Sequence, residues 1–231
     1  AKRVVGSDSE TAKFRSDFDR TIADLYRDKL FATMSRMLAE VNLRFACEPY
    51  GGPFNTGEVT PYVHRVMTEF WSGDRFGGGV SDGLFNAGAG KRHNILEAEA
   101  FTGGPDRSQW TETPAWLKPV GDGAFCAGIN RLVLHTCPLQ PWGEDIRPGM
   151  TMGQWGTHFG RTQTWWDMGH AWLAYLARCQ ALLQWGVRAP GGFSAEGVAV
   201  KSIHRTNSDA HVFFVAHAGS GGKTLCTFAV D

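Results

Sequence analysis

The stretch NILEAEAFTGG, residues 94–104, decides how the rest of the chain is read. Ile95 and Leu96 open an apolar run, Glu97-Ala98-Glu99 interrupts it, Phe101 resumes it, and Gly103-Gly104 stops it. In an extended strand successive side chains point to opposite faces, so Glu97 and Glu99 share one face of a short, otherwise apolar strand. Two carboxylates in that position need either a wet face or a site that holds one of them. Three more short apolar runs end in a polar residue just before turn-forming residues. These are LRFACEPYGG (43–52) at Glu48, VMTEFWSG (66–73) at Glu69 and RLVLHTCP (131–138) at His135.

Helical patterns separate these runs. Residues 9–40 carry Phe14, Phe18, Ile22, Leu25, Leu30, Met34 and Met37 at helical spacing. EVTPYVHR (58–65) has room for one or two helical turns, and SDGLFNAGAGKRH (81–93) reads as a helix opened by a Ser81/Asp82 cap. PAWLKPVGDGAFCAGIN (114–130) is a further helix, and TQTWWDMGHAWLAYLARCQALLQWG (162–186) is one closed by Gly186. Short apolar strands alternating with helices predict a parallel sheet buried on both faces and joined by crossover helices. In an α/β barrel the site is built at the carboxyl ends of the strands. Glu48, Glu69, Glu99 and His135 are therefore expected at one rim, with Glu97 one pleat deeper as support for Glu99.

The expected fold class is α/β. Four units make the C-terminal half of a (β/α)8 barrel over residues 1–188. Beyond Gly186 the pattern changes to alternation in VAVKSIHR (198–205), HVFFVAHA (211–218) and KTLCTFAV (223–230), split by TNSD and GSGG. That is antiparallel β with hairpin turns, read as the beginning of a β-sandwich-like domain over 189–231. With half a barrel present, an opening at Ala1 and an end after LCTFAVD, the chain reads as a piece of a longer polypeptide.

Composition sets outer bounds. Of 231 residues, 42% are hydrophobic and 20% charged, the profile of a globular protein. The 23 basic and 23 acidic residues balance, with no block of like charge, so nothing marks a nucleic-acid or membrane-surface footprint. No apolar run is long enough to span a bilayer. Five scattered cysteines without a CxxC pair give neither a disulfide framework nor a zinc site. The nine Trp are more telling, because several sit beside Gly, Pro or Gln in loops. Aromatic faces there suit flat apolar ligands and the C–H faces of sugars, while most of the aromatics serve core and loop packing.

Longer motifs carry a resemblance. EAEAFTGG, WTETPAWLKPVGDGAFCAGINRLVLHTCPLQPW, RPGMTMGQWGTHFGRTQTWW and AWLAYLARCQALLQWG resemble the catalytic region of the glycoside hydrolase family 106 α-L-rhamnosidases. RFACEPYGGPFN, TEFWSG and SIHRTNSDAHVFFVAH follow in the same family's order. The resemblance covers residues 8 to 231 and is most specific over 94–186. It implies a calcium-dependent, inverting glycosidase on an (α/β)8 barrel with appended β domains. The substrate it implies is terminal rhamnose on plant or bacterial glycans, and the location is periplasmic or secreted.

Inverting hydrolysis needs one carboxylic acid and one carboxylate, held roughly 6.5–9.5 Å apart so that a water fits between. Glu99, on the AEAF motif, is the candidate base. Glu69 falls on a family motif as a second catalytic carboxylate, or as a ligand for sugar hydroxyls or metal. Glu48 has the same options and the added one of satisfying its Pro-Gly turn. His135 and His158 are candidates for hydrogen bonds to sugar hydroxyls, and each has a structural alternative. Trp155 and Trp142 are candidate sugar-facing walls. Trp165 and Trp166 also qualify, with at least one expected in the core. Calcium needs several oxygen ligands, and no acidic run with loop spacing identifies them. The general acid is expected upstream. Two rivals stand beside this reading: a non-catalytic carbohydrate-binding barrel, and a retaining glycosidase of another barrel family.

Overall fold

A computed structural model describes residues 4–73, 94–105, 109–217 and 221–230. The helix expected over 81–93 lies outside the described residues. Helix α1 (Asp8–Leu25) opens with a capping box, in which Ser7 Oγ accepts from Glu10 N while the Glu10 carboxylate accepts from Ser7 N at 2.8 Å. The expected single helix over 9–40 is interrupted by one widened turn, Tyr26–Phe31, before α2 (Ala32–Glu40). The extra residue in that turn brings both Tyr26 and Phe31 onto Phe54, with ring centroids 5.3 and 5.2 Å away. The helical spacing of Phe14, Phe18, Leu25, Leu30, Met34 and Met37 does form helix, yet that stripe faces outward on this chain.

Strand β1 (Ala46–Cys47) leads through the short helix α3 (Thr56–Val59) to β2 (Arg65–Trp71). Then come β3 (Glu97–Thr102), helix α4 (Pro114–Ala127), β4 (Arg131–Leu134) and helix α5 (His170–Gln184). The four strands are parallel and lie in sequential order β1-β2-β3-β4. Val66, Phe70, Ala98 and Ala100 share an apolar core with Leu117 and Phe125 of α4 and with Trp172, Leu176 and Leu183 of α5. The expectation of burial on both faces holds only in part. β3, in the interior, is buried at every position but Glu99, whereas β2 alternates, with Met67, Glu69 and Trp71 half-buried opposite the core side.

Local chemistry sets the helix ends. Thr113 caps α4 by accepting from Trp116 N, Pro114 stands in its first turn, and Gly128 closes it at φ 114°. A Cβ on Gly121 would sit 2.8 Å from the Phe101 ring, so this glycine lets α4 lie close on the sheet. Helix α5 starts at His170 rather than at Thr162. The reason is Trp165, whose indole turns into the core against Trp172 at 5.8 Å and donates to the Glu112 carbonyl at 2.8 Å. Trp166 is only half-buried against the core.

Antiparallel pairing begins at Val187. β5 (Val187–Ala189), β7 (Val200–Thr206) and β8 (His211–His217) form one sheet, and β6 (Phe193–Gly197) pairs with β9 (Thr224–Phe228) in another. The TNSD segment is a true hairpin turn, in which Asn207 Oδ1 accepts from Asp209 N and Ala210 N. The expected second hairpin is not formed, because β9 pairs with β6 rather than with β8. Phe214 of β8 packs edge-on against Phe125 of α4 at 5.7 Å, so the β unit shares the core of the α/β unit.

Arg205 secures that junction from a fully buried position. It donates to the Trp185 and Gly186 carbonyls and to Asn94 Oδ1, just ahead of β3. Arg205→Leu removes the donor from the half-buried Trp185 carbonyl and Asn94 Oδ1, at about 1–3 kcal/mol for each group left unpaired, while the Gly186 carbonyl keeps a hydrogen bond from Asn94 Nδ2. A thermal melt of this variant is expected to show one of the largest losses of stability available from a single surface-remote substitution. A melt at the wild-type temperature would remove Arg205 from this role.

Candidate active site

The register of the parallel sheet builds the site. Glu69 stands opposite Glu99, and Glu99 opposite Val133, so one row crosses β2, β3 and β4 on the face turned from the core. Two residues earlier on that face Glu97 meets two guanidinium groups. Arg65 grips it with both forks at 2.8 and 2.6 Å, and Arg131 reaches it at 2.8 Å. Burial alone would raise the Glu97 pKa, but the two arginines outweigh burial and hold it below the ordinary carboxylate value. Glu97 is thus an ionised anchor with no spare capacity, 1% exposed.

Glu99 is engaged differently. Its Oε1 accepts one hydrogen bond, from Thr102 Oγ1 at 2.6 Å, and the same oxygen lies 3.9 Å from His135 Nδ1. Glu48 follows β1 directly, and its Oε2 accepts from the Tyr50 hydroxyl at 2.9 Å. Burial raises the Glu48 pKa, the Tyr50 hydrogen bond opposes the rise, and the negative charges of Glu99 and Glu69 add to it. The same charges reach the Tyr50 hydroxyl, whose pKa is raised by burial and by hydrogen bonding to Glu48, with Glu69 contributing. Glu48 and His135 directly follow β1 and β4, whereas Glu69 and Glu99 stand two and three residues inside the carboxyl ends of β2 and β3, so the four lie toward one end of the sheet but not, as expected, each at the end of its strand.

The other expected residues divide. Trp155 meets Trp71 edge-on at 5.6 Å and is half-exposed, which puts an aromatic wall beside the end of β2. His158 differs from a sugar-facing ring. It is 3% exposed, stacks on Trp110 at 4.4 Å and accepts from Met152 N. Burial, and then the neighbouring His135, lower its pKa, so the ring is neutral. Trp142 is exposed, and its carbonyl accepts from Arg161 at 2.6 Å, with no described contact to the carboxylates.

A short loop closes the rim. Gly156 N donates to the Gly103 carbonyl at 2.9 Å, Thr157 N to the His135 carbonyl at 3.0 Å, and Thr136 N to the Thr157 carbonyl at 2.7 Å. Gly156 adopts φ 88°, and a Cβ there would lie 3.0 Å from Thr136 Cγ2 and 3.1 Å from the His135 ring. Sequence reading missed four participants: Tyr50, Trp71, Thr102 and Glu112. Tyr50, Trp71 and Thr102 sit within two to three residues of a singled-out glutamate, which was an available signal. Glu112, in WTETP, had none.

Among the described residues no group of three or more His, Cys, Asp or Glu side chains is arranged to hold a metal ion. No helix among them is long and apolar enough to cross a membrane.

The chain belongs to glycoside hydrolase family 106, since the family model described as α-L-rhamnosidase matches residues 1–190. It is 38% identical over 182 residues to a protein of Formosa agariphila named "Putative beta-glucuronidase", covering 79% of this chain and 15% of that protein. Its fold matches the rhamnosidase from Novosphingobium sp. PP1Y with a TM-score of 0.66 and 27% identity, over 75% of this chain and 17% of that one. The chain thus spans under a fifth of the length of these two relatives.

Glu97→Gln tests the anchor. A depressed folded-state pKa means stabilisation that is present above the ordinary carboxylate range and lost as pH falls through the folded value. With both guanidiniums part-exposed, the variant is expected to lose about 1.5–3 kcal/mol at neutral pH. The gap from wild type should close on acidification below about pH 4. A gap that stays constant with pH in denaturant titrations would contradict the charge-based account.

Proposed function

We propose that this chain supplies part of the catalytic barrel of an α-L-rhamnosidase-like glycoside hydrolase, with Glu99 as general base of an inverting reaction. The observation that carries this reading is the contrast along one face of β3. Glu97 is saturated by two arginines, while Glu99, two residues on, accepts a single protein hydrogen bond beside His135. A base must have an oxygen left for water. Glu69, Glu48 and His135 are then hydrogen-bonding partners for sugar hydroxyls, and Trp155 with Trp71 forms an apolar wall. The sequential parallel order of the strands supports half of an eight-stranded barrel, with the β unit outside it.

Of the two sugar classes named by the relatives, the neutral one suits this end of the sheet. A uronic acid brings a carboxylate, and Glu48, Glu69 and Glu99 already concentrate negative charge there. Among the described residues, Arg65 and Arg131 on this face are both committed to Glu97. No step is routed through calcium, for want of a fitting ligand group among the described residues.

A retaining mechanism is the second reading, and register favours it. Glu69 and Glu99 are direct neighbours across adjacent strands whose backbones run about 4.8 Å apart, a placement from which two carboxyl groups can reach the roughly 5–5.5 Å of a retaining pair. In the inverting reading Glu99 instead works with an acid from a more distant strand.

One substitution separates these readings. Glu99→Gln keeps shape and hydrogen bonding while removing the charge that deprotonates water. On an aryl α-L-rhamnoside, kcat should fall by about 10²–10⁴-fold with KM and melting temperature nearly unchanged. Azide should not restore turnover with retained configuration. Near-wild-type kcat would remove Glu99 as the base, azide rescue with retention would establish the retaining pair, and cleavage of aryl β-glucuronides alone would replace the sugar class.

A further inference from the structure

The structure assigns to Glu112 the role of positioning residue for this site: it joins the end of β2 to the loop that places His135 and Trp155. The inference rests on the glycosidase reading above. Glu112 is 2% exposed, and its Oε1 accepts from Ser72 Oγ at 3.1 Å and from Thr157 Oγ1 at 3.3 Å. Ser72 N in turn donates to the Thr102 carbonyl at 2.9 Å, just beyond the Trp71–Thr102 pair that ends the β2–β3 ladder carrying Glu69 and Glu99. Thr157 exchanges backbone hydrogen bonds with His135 and Thr136, and it lies two residues from Trp155. The Glu112 carbonyl accepts from Trp165 Nε1 at 2.8 Å, which fixes this segment to the core. One carboxylate thus bridges the residue that follows β2 and the loop bonded to the residues that follow β4.

Glu112 Oε2 is buried and has no hydrogen-bond partner among the described residues, a state that costs stability. What the side chain supplies in return is geometry: its Oε1 is one acceptor that the Ser72 and Thr157 hydroxyls share. Errors of an ångström in placing catalytic groups cost up to about 10²-fold in rate.

The test uses kinetics of the intact protein on an aryl α-L-rhamnoside, well below its melting temperature. Glu112→Ala should lower kcat by about 10-fold or more, with KM changing far less. Thr157→Val, which removes only one hydroxyl, should lower kcat in the same direction. The double variant should be no slower than Glu112→Ala, because both act through one contact. Glu112→Gln retains an acceptor and should restore most of the rate. The role is overturned if Glu112→Ala melts earlier but keeps wild-type kcat and KM, or if Thr157→Val and Glu112→Ala combine additively. Should Glu112→Ala fail to fold, Thr157→Val and Glu112→Gln decide alone, and wild-type kinetics in Thr157→Val overturns the role. A wild-type protein inactive on every aryl glycoside refutes the functional reading instead.

Discussion

Glu97, gripped by Arg65 and Arg131, is the contact on which the rest of the sheet depends. Without the carboxylate, two guanidinium groups from the strands on either side of β3 would stand close together with no counter-charge. With it, three adjacent strands are tied at one level. Register matters unusually here, because the side-chain period of a strand is two. A slip by one residue would turn Glu97 and Glu99 into the apolar layer beneath and bring Ala98 and Ala100 to the polar face. The ion triad makes that slip costly, since a buried carboxylate separated from its partners loses far more than a surface pair. The opposition of Glu69 and Glu99 follows from this anchoring.

At the other end of β3 the packing constraint takes over from the charge constraint. The pairing of β2 with β3 shifts between Phe70 and Trp71, so that Phe101 is the extra residue. By alternation Phe101 would share the face of Glu99. The irregularity lets it turn inward instead, against Phe70 at 5.0 Å and Trp172 at 5.3 Å. Thr102 is then free to return to Glu99 and donate to it. Core and site are set by the same irregularity, which explains why two small residues, Gly103 and Gly104, follow at once.

Much of this was legible in the sequence, and the reasons are specific. Strand periodicity puts Glu97 and Glu99 on one face, and their order along the strand suggests Glu97 as the deeper support and Glu99 as the residue nearer the site. Four short runs ending in Glu48, Glu69, Glu99 and His135 read as strands because each is bounded by turn residues. What was not legible depends on long-range contacts. The widened turn at Tyr26–Phe31 is demanded by Phe54, and the late start of α5 by Trp165 entering the core. His158 was ranked by residue type, but its stacking on Trp110 removes it from the surface. β9 was paired with its sequence neighbour, when the partner that fits it is β6. Glu112 left no periodic trace, because its partners are 40 and 45 residues away in the chain.

Glu48, Glu69 and Glu99 lie together toward the carboxyl ends of the strands. Burial raises the Glu48 pKa, and the charges of Glu99 and Glu69 add to the rise while the Tyr50 hydrogen bond opposes it. Two further buried polar atoms, Glu48 Oε1 and His135 Nδ1, have no hydrogen-bond partner among the described residues. A surface so rich in acceptors is complemented by a ligand that brings donors without bringing negative charge. Such a ligand relieves the acceptors that the folded chain leaves unsatisfied, so the local cost in stability and the affinity for that ligand have one physical origin. A site of this kind breaks the ordinary rules of a stable sheet where its chemistry requires it to.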